Sequence, residues 1–183
     1  MTKLRTYLPH RRTTIKWLHW LTLPLLVWFI FVTPTDVNKI GPWAFRLHSV
    51  LGLIFVSLAL GWTAMYLRKG LVGRAGPKLS PPLRRLHQIM HKVMVWGLFG
   101  VAVTGFLLGL TSTVQLWAGG IVPIAMPLGL PEMNDLVGQV HIVEFYLLAA
   151  IVIGHAGFHI WRHVRLHDNA LRIMAPRALH RFL

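Results

Sequence analysis

Cysteine is absent from this 183-residue sequence, and acidic residues are scarce, with five Asp and Glu in total. Without cysteine the chain cannot form disulfides, iron–sulfur clusters, or thiolate-ligated zinc and haem sites. Covalent attachment of a c-type haem is excluded as well, because it requires a C-x-x-C-H motif. Residues of either charge make up 13% of the sequence, about half of the roughly 25% typical of soluble domains. This shortage of charge argues against an ordinary soluble protein.

Hydrophobic residues are abundant, at 55% of the sequence. They form four apolar stretches, each of 18 residues or more, and such stretches are long enough to cross a hydrocarbon core about 30 Å thick as helices. We therefore expect a single all-α membrane domain over residues 1–183, a four-transmembrane-helix bundle in contact with membrane lipid. The predicted helices cover residues 15–32, 45–67, 87–110 and 137–161.

The nineteen Lys and Arg residues give the chain a formal net charge of +14, which in a soluble protein would suggest nucleic-acid binding. Their distribution favours a membrane protein instead. Five lie in the N-terminal tail, seven between Arg68 and Lys92, and five from Arg162 onward, which leaves two elsewhere. Basic residues gather in cytoplasmic loops, so we expect both termini and the middle connector to be cytoplasmic. No nucleic-acid partner is expected.

Two connectors lie on the opposite, external side of the predicted bundle. Residues 33–43 are short and are expected to form a loop. Residues 111–136 are apolar but are interrupted repeatedly by Gly and Pro. An interrupted segment cannot satisfy its own backbone polar groups in lipid, so we expect an interfacial or re-entrant segment over the bundle rather than another span.

Histidine is common, with eleven in the sequence, and four of these lie at matched depths in the predicted helices. His141 and His155 are fourteen residues apart, so in a helix they point within about 40° of each other and lie roughly 21 Å apart along the axis. In the predicted topology His48 shares the external depth of His141, and His19 shares the cytoplasmic depth of His155. Imidazole ligates haem iron, and helix bundles commonly hold such sites. The pattern predicts two bis-histidine b-type haems, ligated by His19 with His155 and by His48 with His141.

Two further features bear on this ligand assignment. Small residues near the ligands would let a macrocycle lie against the backbone; they are Gly52, Gly138, Gly154 and Gly157. His159, one turn beyond His155, is a rival ligand. It would lie roughly 27 Å from His141 by the helical rise, close to the water interface, so the spacing favours His155.

The remaining histidines gather toward the predicted cytoplasmic end: His87, His91, His159, His163 and His167. Pairs spaced four residues apart can hold zinc, but Asp168 is the one carboxylate nearby in sequence. We expect these histidines at the interface, with His91 or His163 as candidates for hydrogen bonding to a quinone or a haem propionate. Arg46 is a further candidate, at the other end. A non-haem alternative is a transporter whose histidines relay protons.

Segments around the predicted ligands, and the tail that follows them, resemble the bacterial cytochrome b561 family of small di-haem membrane cytochromes. These segments are KWLHW, RLHSVLG, QVHIVEFYLLAAIVIGH and RHVRLHDNALRIMAP. The resemblance implies a multi-pass protein of the bacterial inner membrane that exchanges electrons with the quinone pool, for which ubiquinone is a candidate. It also implies the same ligands, His19, His48, His141 and His155.

The resemblance further implies an electron-transfer oxidoreductase, which in one branch of the family is a superoxide:quinone oxidoreductase. A periplasmic donor, for which superoxide is a candidate, would deliver electrons that reach membrane quinone. The alternative is a cytochrome b subunit that anchors a separate dehydrogenase or hydrogenase, or that serves a c-type cytochrome partner.

Overall fold

The structure is a computed structural model that describes residues 11–71 and 76–182. Its elements in chain order are α1 (Arg11–Phe31), α2 (Pro34–Ile40), α3 (Pro42–Lys69), α4 (Pro81–Thr111), β1 (Trp117–Ala118), β2 (Val122–Pro123), α5 (Pro131–Leu166), α6 (Ala170–Met174) and a 3-10 helix (Arg177–Phe182). Lys3, Arg5 and Arg74, which contribute to the basic segments above, lie outside the described residues.

Four helices, α1, α3, α4 and α5, are long and apolar enough to cross a membrane, with mean hydropathies of 1.4 to 2.1 in their apolar segments. The predicted four-helix membrane bundle is therefore confirmed. Three of these helices extend beyond their predicted bounds at both ends, whereas α1 begins four residues earlier and ends one residue earlier than expected. The 36 residues of α5 span about 54 Å at the helical rise, more than the thickness of a hydrocarbon core.

Proline begins most of the helices. The first residues of α2, α3, α4 and α5 are Pro34, Pro42, Pro81 and Pro131. Proline suits a first helical position because its φ is already helical and an N–H there would have no partner in the helix. Several of these prolines are followed by polar residues that belong to the helix. A prediction from the apolar stretch alone therefore places the start of the helix too late.

Residues with left-handed backbone angles end two of the spanning helices. Gly70, with φ of 67°, follows α3, and its N–H donates to the Tyr66 carbonyl. His167, with φ of 48°, ends α5, and Asn169 nearby has φ of 57°. Glycine adopts this region freely, and Asn and His are enriched there among other residues. The chain can therefore turn sharply after each helix.

The bundle has a narrow internal core and an apolar outer surface. The core cluster consists of Leu26, Phe55, Ala59, Leu98, Val101, Ala102, Phe145 and Leu148. Many large apolar side chains point outward instead, among them Phe31, which is 77% exposed, and Ile153, which is 66% exposed. Soluble monomers rarely expose such extensive apolar surface. Membrane lipid therefore covers the outside of the bundle.

The basic segments meet at one end of the bundle, which we call the basic end. Trp20 Nε1 on α1 donates to the Met174 carbonyl in the tail at 2.8 Å. Lys78, in the connector between α3 and α4, donates through Nζ to the Leu166 carbonyl at the end of α5, also at 2.8 Å. The tail and the middle connector therefore share one side with the start of α1, as the loop charges predicted. That this side is cytoplasmic stays a prediction.

A small β-hairpin lies at the opposite end, which we call the hairpin end. Strands β1 and β2 pair antiparallel. Ser49 Oγ on α3 donates to the Trp117 carbonyl at 3.3 Å and accepts from the Gly119 N–H at the same distance. The hairpin therefore rests on the start of α3. No helix lies within residues 112–130, in keeping with the prediction that this connector does not span, although the hairpin itself was not predicted.

The short helix α2 replaces the loop expected over residues 33–43. Thr33 Oγ1 accepts from the Asp36 N–H, and Asp36 Oδ2 accepts from the Thr33 N–H at 3.0 Å. Hydrogen bonds from the Thr33 hydroxyl and backbone lower the pKa of Asp36 below its ordinary value. An N-cap threonine with an acidic residue three positions later is a helix-start pattern, so the sequence carried a signal for this helix.

Candidate functional site

Two predicted haem ligands, His48 on α3 and His141 on α5, lie toward the hairpin end. His48 makes an edge-to-face contact with Phe29 on α1, with ring centroids 4.9 Å apart. His141 Nδ1 lies 2.7 Å from Thr104 Oγ1 on α4. The two imidazoles lie within electrostatic range of each other. All four spanning helices therefore contribute to this region.

The other two predicted ligands, His19 on α1 and His155 on α5, lie toward the basic end and are also within electrostatic range of each other. The neighbour of His19, Trp20, is the residue that bonds to the tail. Because α5 runs unbroken from Pro131 to Leu166, its two histidines keep the axial separation of roughly 21 Å that the helical rise requires. The members of each predicted pair therefore lie on different helices, close enough for their charges to interact, and their pairing at a haem stays a prediction.

Buried nitrogens and open space at these histidines suit a planar iron-bound ligand. His48 Nδ1 and His155 Nδ1 are buried without a hydrogen-bond partner among the described residues. A Cβ added at the half-buried Gly52 would meet nothing within 4 Å, and the same holds at Gly154 and Gly157, which lie on the exposed surface of α5. Paired imidazoles in a chain without cysteine form the donor set of a bis-histidine b haem. The residues present therefore fit two such haems.

Gly138 differs from the other glycines expected to make room for a macrocycle. A Cβ at this position would contact Leu108 Cδ2 on α4 at 3.7 Å. Gly138 therefore faces the Leu108 side chain, with which a Cβ would make an ordinary van der Waals contact, and not open space.

Thr104 and Glu144 form a polar group around His141 that the sequence did not reveal. Thr104 Oγ1 lies 3.1 Å from Glu144 Oε2, to which its hydroxyl donates. The oxygen of that hydroxyl can then accept from His141 Nδ1–H, which leaves Nε2 unprotonated for a metal ion. Two glycines of α4 admit these side chains: a Cβ at Gly105 would lie 3.4 Å from His141 Cε1, and one at Gly100 would overlap Glu144 Oε1.

A second group of imidazoles packs together nearer the basic end, between α4 and α5. The ring centroids of His87 and His91 are 4.2 Å apart, and those of His87 and His159 are 5.5 Å apart. His155 adjoins this group, 4.8 Å from His91 and 4.5 Å from His159. His91, a quinone candidate, and His159, the rival ligand, are therefore both neighbours of the predicted ligand His155.

His163 and His167 lie outside this group. His163 Nδ1 is buried and has no partner in the part of the chain that the structure describes, so it retains a nitrogen for a ligand. His167 ends α5 in a left-handed conformation, and its backbone carbonyl accepts from Lys78 Nζ at 3.1 Å. His167 therefore has a structural role through its backbone.

A buried ion pair closes the basic end. Arg162 on α5 donates to Asp168 Oδ2 through Nε at 2.9 Å and Nη2 at 2.6 Å, and the two side chains are 1% and 2% exposed. A Cβ at Gly76 would overlap both groups, so the middle connector covers the pair. The Asp168 carboxylate, considered above as a partner for the nearby histidines, is committed to Arg162.

Arg46, the candidate at the other end, lines a groove of about 530 Å³ at the hairpin end. The groove lies between the start of α3 and the hairpin, and its walls include Phe45, Gln115, Trp117 and Gly120. Arg46 is therefore far along the bundle from His91 and His163, and it lies one helical turn or less from His48 in sequence.

Comparison with known proteins supports one family. Residues 10–177 match the model of a family described as prokaryotic cytochrome b561, and this match covers most of the 183-residue chain. No curated protein matches the sequence significantly.

Proposed function

The chain belongs to the prokaryotic cytochrome b561 family, and from that premise we propose that it carries electrons across the bacterial inner membrane through two bis-histidine b haems. The family consists of membrane b-type cytochromes that transfer electrons, and the four spanning helices agree with that role. The proposal adds the number of haems, their ligands, the route and the inner-membrane location.

The observation that carries this proposal is the arrangement of the four histidines on three helices. His141 and His155 lie on the unbroken helix α5, and each has its proposed partner, His48 or His19, within electrostatic range. A chain with ligands at two depths can hold two haems one above the other, which is the arrangement that electron transfer across a membrane requires.

Haem, when bound, supplies a one-electron carrier whose chemistry belongs to the cofactor. The residues of the chain position and insulate it. Thr104 orients the His141 ring through its hydrogen bond, while Phe29 makes an edge-to-face contact with the His48 ring. The core cluster, including Phe55 and Phe145, lies between the two levels and excludes water.

We place the electron donor at the hairpin end and quinone at the basic end. Arg46, in the groove beside the hairpin, offers a local positive charge for an anionic donor such as superoxide, while Asp36, Glu132 and Asp135 lie elsewhere at this end. At the basic end, His163 Nδ1 and His91 Nε2 are buried without protein partners in the described chain; in the tautomer that places the proton there, such an N–H donates to a quinone carbonyl, with ubiquinone as the candidate.

Ligand substitution with haem quantification tests the first part of the proposal. His48→Ala and His141→Ala should each lose the haem at the hairpin end, and His19→Ala and His155→Ala should each lose the haem at the basic end. In each variant only one of the two imidazole ligands is left at the altered site. His180→Ala is the matched control, since its ring contacts the Ala175 carbonyl in the tail, and it should retain both haems. Retention of both haems in His48→Ala would contradict the assignment.

Quinone reduction by the purified protein tests the donor and the acceptor. With superoxide as donor and a soluble ubiquinone analogue as acceptor, quinol should form faster than in a protein-free control, and His48→Ala should abolish the gain. Arg46→Ala should slow the reaction more at low ionic strength than at high ionic strength, because salt screens steering. No gain over the control, together with co-purification of a soluble redox protein, would favour the anchor-subunit role.

A further inference from the structure

Three histidines of the group near the basic end converge on one point. His87 and His91 lie one turn apart on α4, and His159 faces them from α5. One ring nitrogen from each lies within 4.8 Å of the others. Nitrogens this close can ligate a single ion after small side-chain rotations, because zinc–nitrogen bonds are about 2.0–2.1 Å long.

Each of these histidines also has a buried nitrogen with no hydrogen-bond partner in the described chain: His87 Nδ1, His91 Nε2 and His159 Nε2. Buried polar atoms in proteins normally have partners, and a group that lacks one calls for an unseen water or ion. A neutral imidazole has one nitrogen lone pair to offer. The three histidines therefore offer three lone pairs to an ion, and no group in the described chain donates a hydrogen bond to these buried nitrogens.

From this convergence we propose that His87, His91 and His159 bind a divalent transition-metal ion of the zinc class, separately from the haems. Three neutral imidazoles suit Zn²⁺, which accepts three histidines and a water molecule. Mg²⁺ and Ca²⁺ are disfavoured because they require oxygen ligands. The nearby carboxylate of Asp168 is bound to Arg162 and is therefore not counted as a ligand. The protein ligands of the proposed site are the three imidazole nitrogens.

The surroundings permit a cation at this position. Arg162 lies close to the group, but its charge is balanced by Asp168 at 2.6 Å. His87 lies six residues from the start of α4, and His159 lies seven residues from the end of α5. By the helical rise both are about 10 Å from the ends of their helices, within reach of ions that enter from the basic end.

The site would adjoin the proposed haem ligand His155 without using it. His155 contacts His91 and His159 ring to ring but is not one of the three converging residues. A bound ion would occupy His91 and would leave His163 as the quinone candidate at this end.

Zinc binding to the haem-loaded protein tests the proposal. The protein is purified without a polyhistidine tag, stripped with a chelator, dialysed against Zn²⁺ and analysed for zinc and haem by mass spectrometry and absorption. One zinc per chain is expected, and X-ray absorption at the zinc edge should show three imidazole ligands and one oxygen ligand from a water molecule. Excess Mg²⁺ should not displace it.

Substitutions separate this site from other histidines. His91→Ala and His159→Ala should each weaken zinc binding at least about tenfold while both haems remain; these residues are less buried than His87, whose loss is more disruptive to folding. His180→Ala is the control and should bind zinc as the unaltered chain does. Absence of stoichiometric zinc, unchanged affinity in both variants, or loss of a haem in His159→Ala would overturn the proposal. The last result would assign His159 to a haem and would leave the four-helix electron-transfer role standing.

Discussion

His141 differs from His48 and His155 because its Nδ1 has a protein partner, the Thr104 hydroxyl at 2.7 Å. A hydrogen bond to the non-ligating nitrogen fixes the tautomer and the ring orientation of a metal-bound histidine. Glu144 accepts from the same hydroxyl, so the threonine oxygen is oriented to accept from the ring. The hydrogen bonds of Thr104 and Glu144 therefore orient the His141 ring independently of haem binding.

Thr104→Val tests this support, because it keeps the shape of the side chain and removes the hydroxyl. The haem at the hairpin end should bind about 10–100-fold more weakly, as with other losses of a partner to a metal-bound histidine. Haem retention during dilution or competition with apo-globin would measure the change. Thr63→Val is the matched control, since its buried hydroxyl donates to the Ala59 carbonyl and lies about 22 Å along α3 from His48, the ligand at the hairpin end. Equal haem retention in both variants would contradict the role of Thr104.

Asp168→Ala tests the ion pair at the basic end. The change leaves the guanidinium of Arg162 buried without its counter-ion, and breaking such a pair typically costs about 3–5 kcal/mol. Denaturation in detergent, followed through the haem absorption band, should show this loss of stability. Asp135→Ala removes an exposed acid at the start of α5 and should change the free energy of unfolding by less than about 0.5 kcal/mol. Equal unfolding midpoints would show that Arg162 has another partner.

The sequence could predict the proposed histidine ligands but not the residues that hydrogen-bond to them. His141 and His155 were accessible because their fourteen-residue spacing lies within one helix. Thr104 was not, because it lies 37 residues from His141 on another helix, and helix packing brings them together. Glu144 was accessible in principle, since it lies three residues after His141 and therefore on the same helical face.

At the scale of elements, α5 organises the bundle. It contributes one proposed ligand at each level, and it also carries His159 and Arg162. The apolar pattern predicted its existence but placed its start at residue 137, whereas the helix begins at Pro131. Hydropathy follows the lipid-facing part of a helix, while caps determine its length, and here a proline and a left-handed histidine set the two ends.

Insertion of one alanine after Ala149 tests whether the phase of α5 sets the two levels. Everything beyond the insertion should rotate by about 100° relative to His141, which turns His155 away from His19. The haem at the basic end should be lost while that at the hairpin end remains, as measured by haem content and by the number of redox transitions. An alanine inserted after Met126, which is 82% exposed in a loop, is the control. Two retained haems in the α5 variant would show that the helix absorbs the insertion.

At the scale of the whole molecule, charge and burial divide the surface into three zones. Large apolar side chains cover the sides of the bundle, the basic segments meet at one end, and the hairpin with α2 covers the other. Loop charges predicted this division because it depends on composition alone. The hairpin and the tail contacts could not be predicted in the same way, since they depend on bonds such as that from Trp20 to the Met174 carbonyl.

The absence of cysteine allows a direct test of orientation. Single cysteines at Met126, which is exposed at the hairpin end, and at Ala178, which is exposed in the tail, are introduced into the otherwise cysteine-free chain. In intact spheroplasts a membrane-impermeant maleimide should label Met126→Cys, whereas Ala178→Cys should react only after the membrane is opened. The unaltered chain is the blank, because it has no thiol. The basic residues collected around the tail would then face the cytoplasm, as the positive-inside rule requires. Labelling of Ala178→Cys alone in intact spheroplasts would reverse the topology and would place Arg46 on the side away from a periplasmic donor.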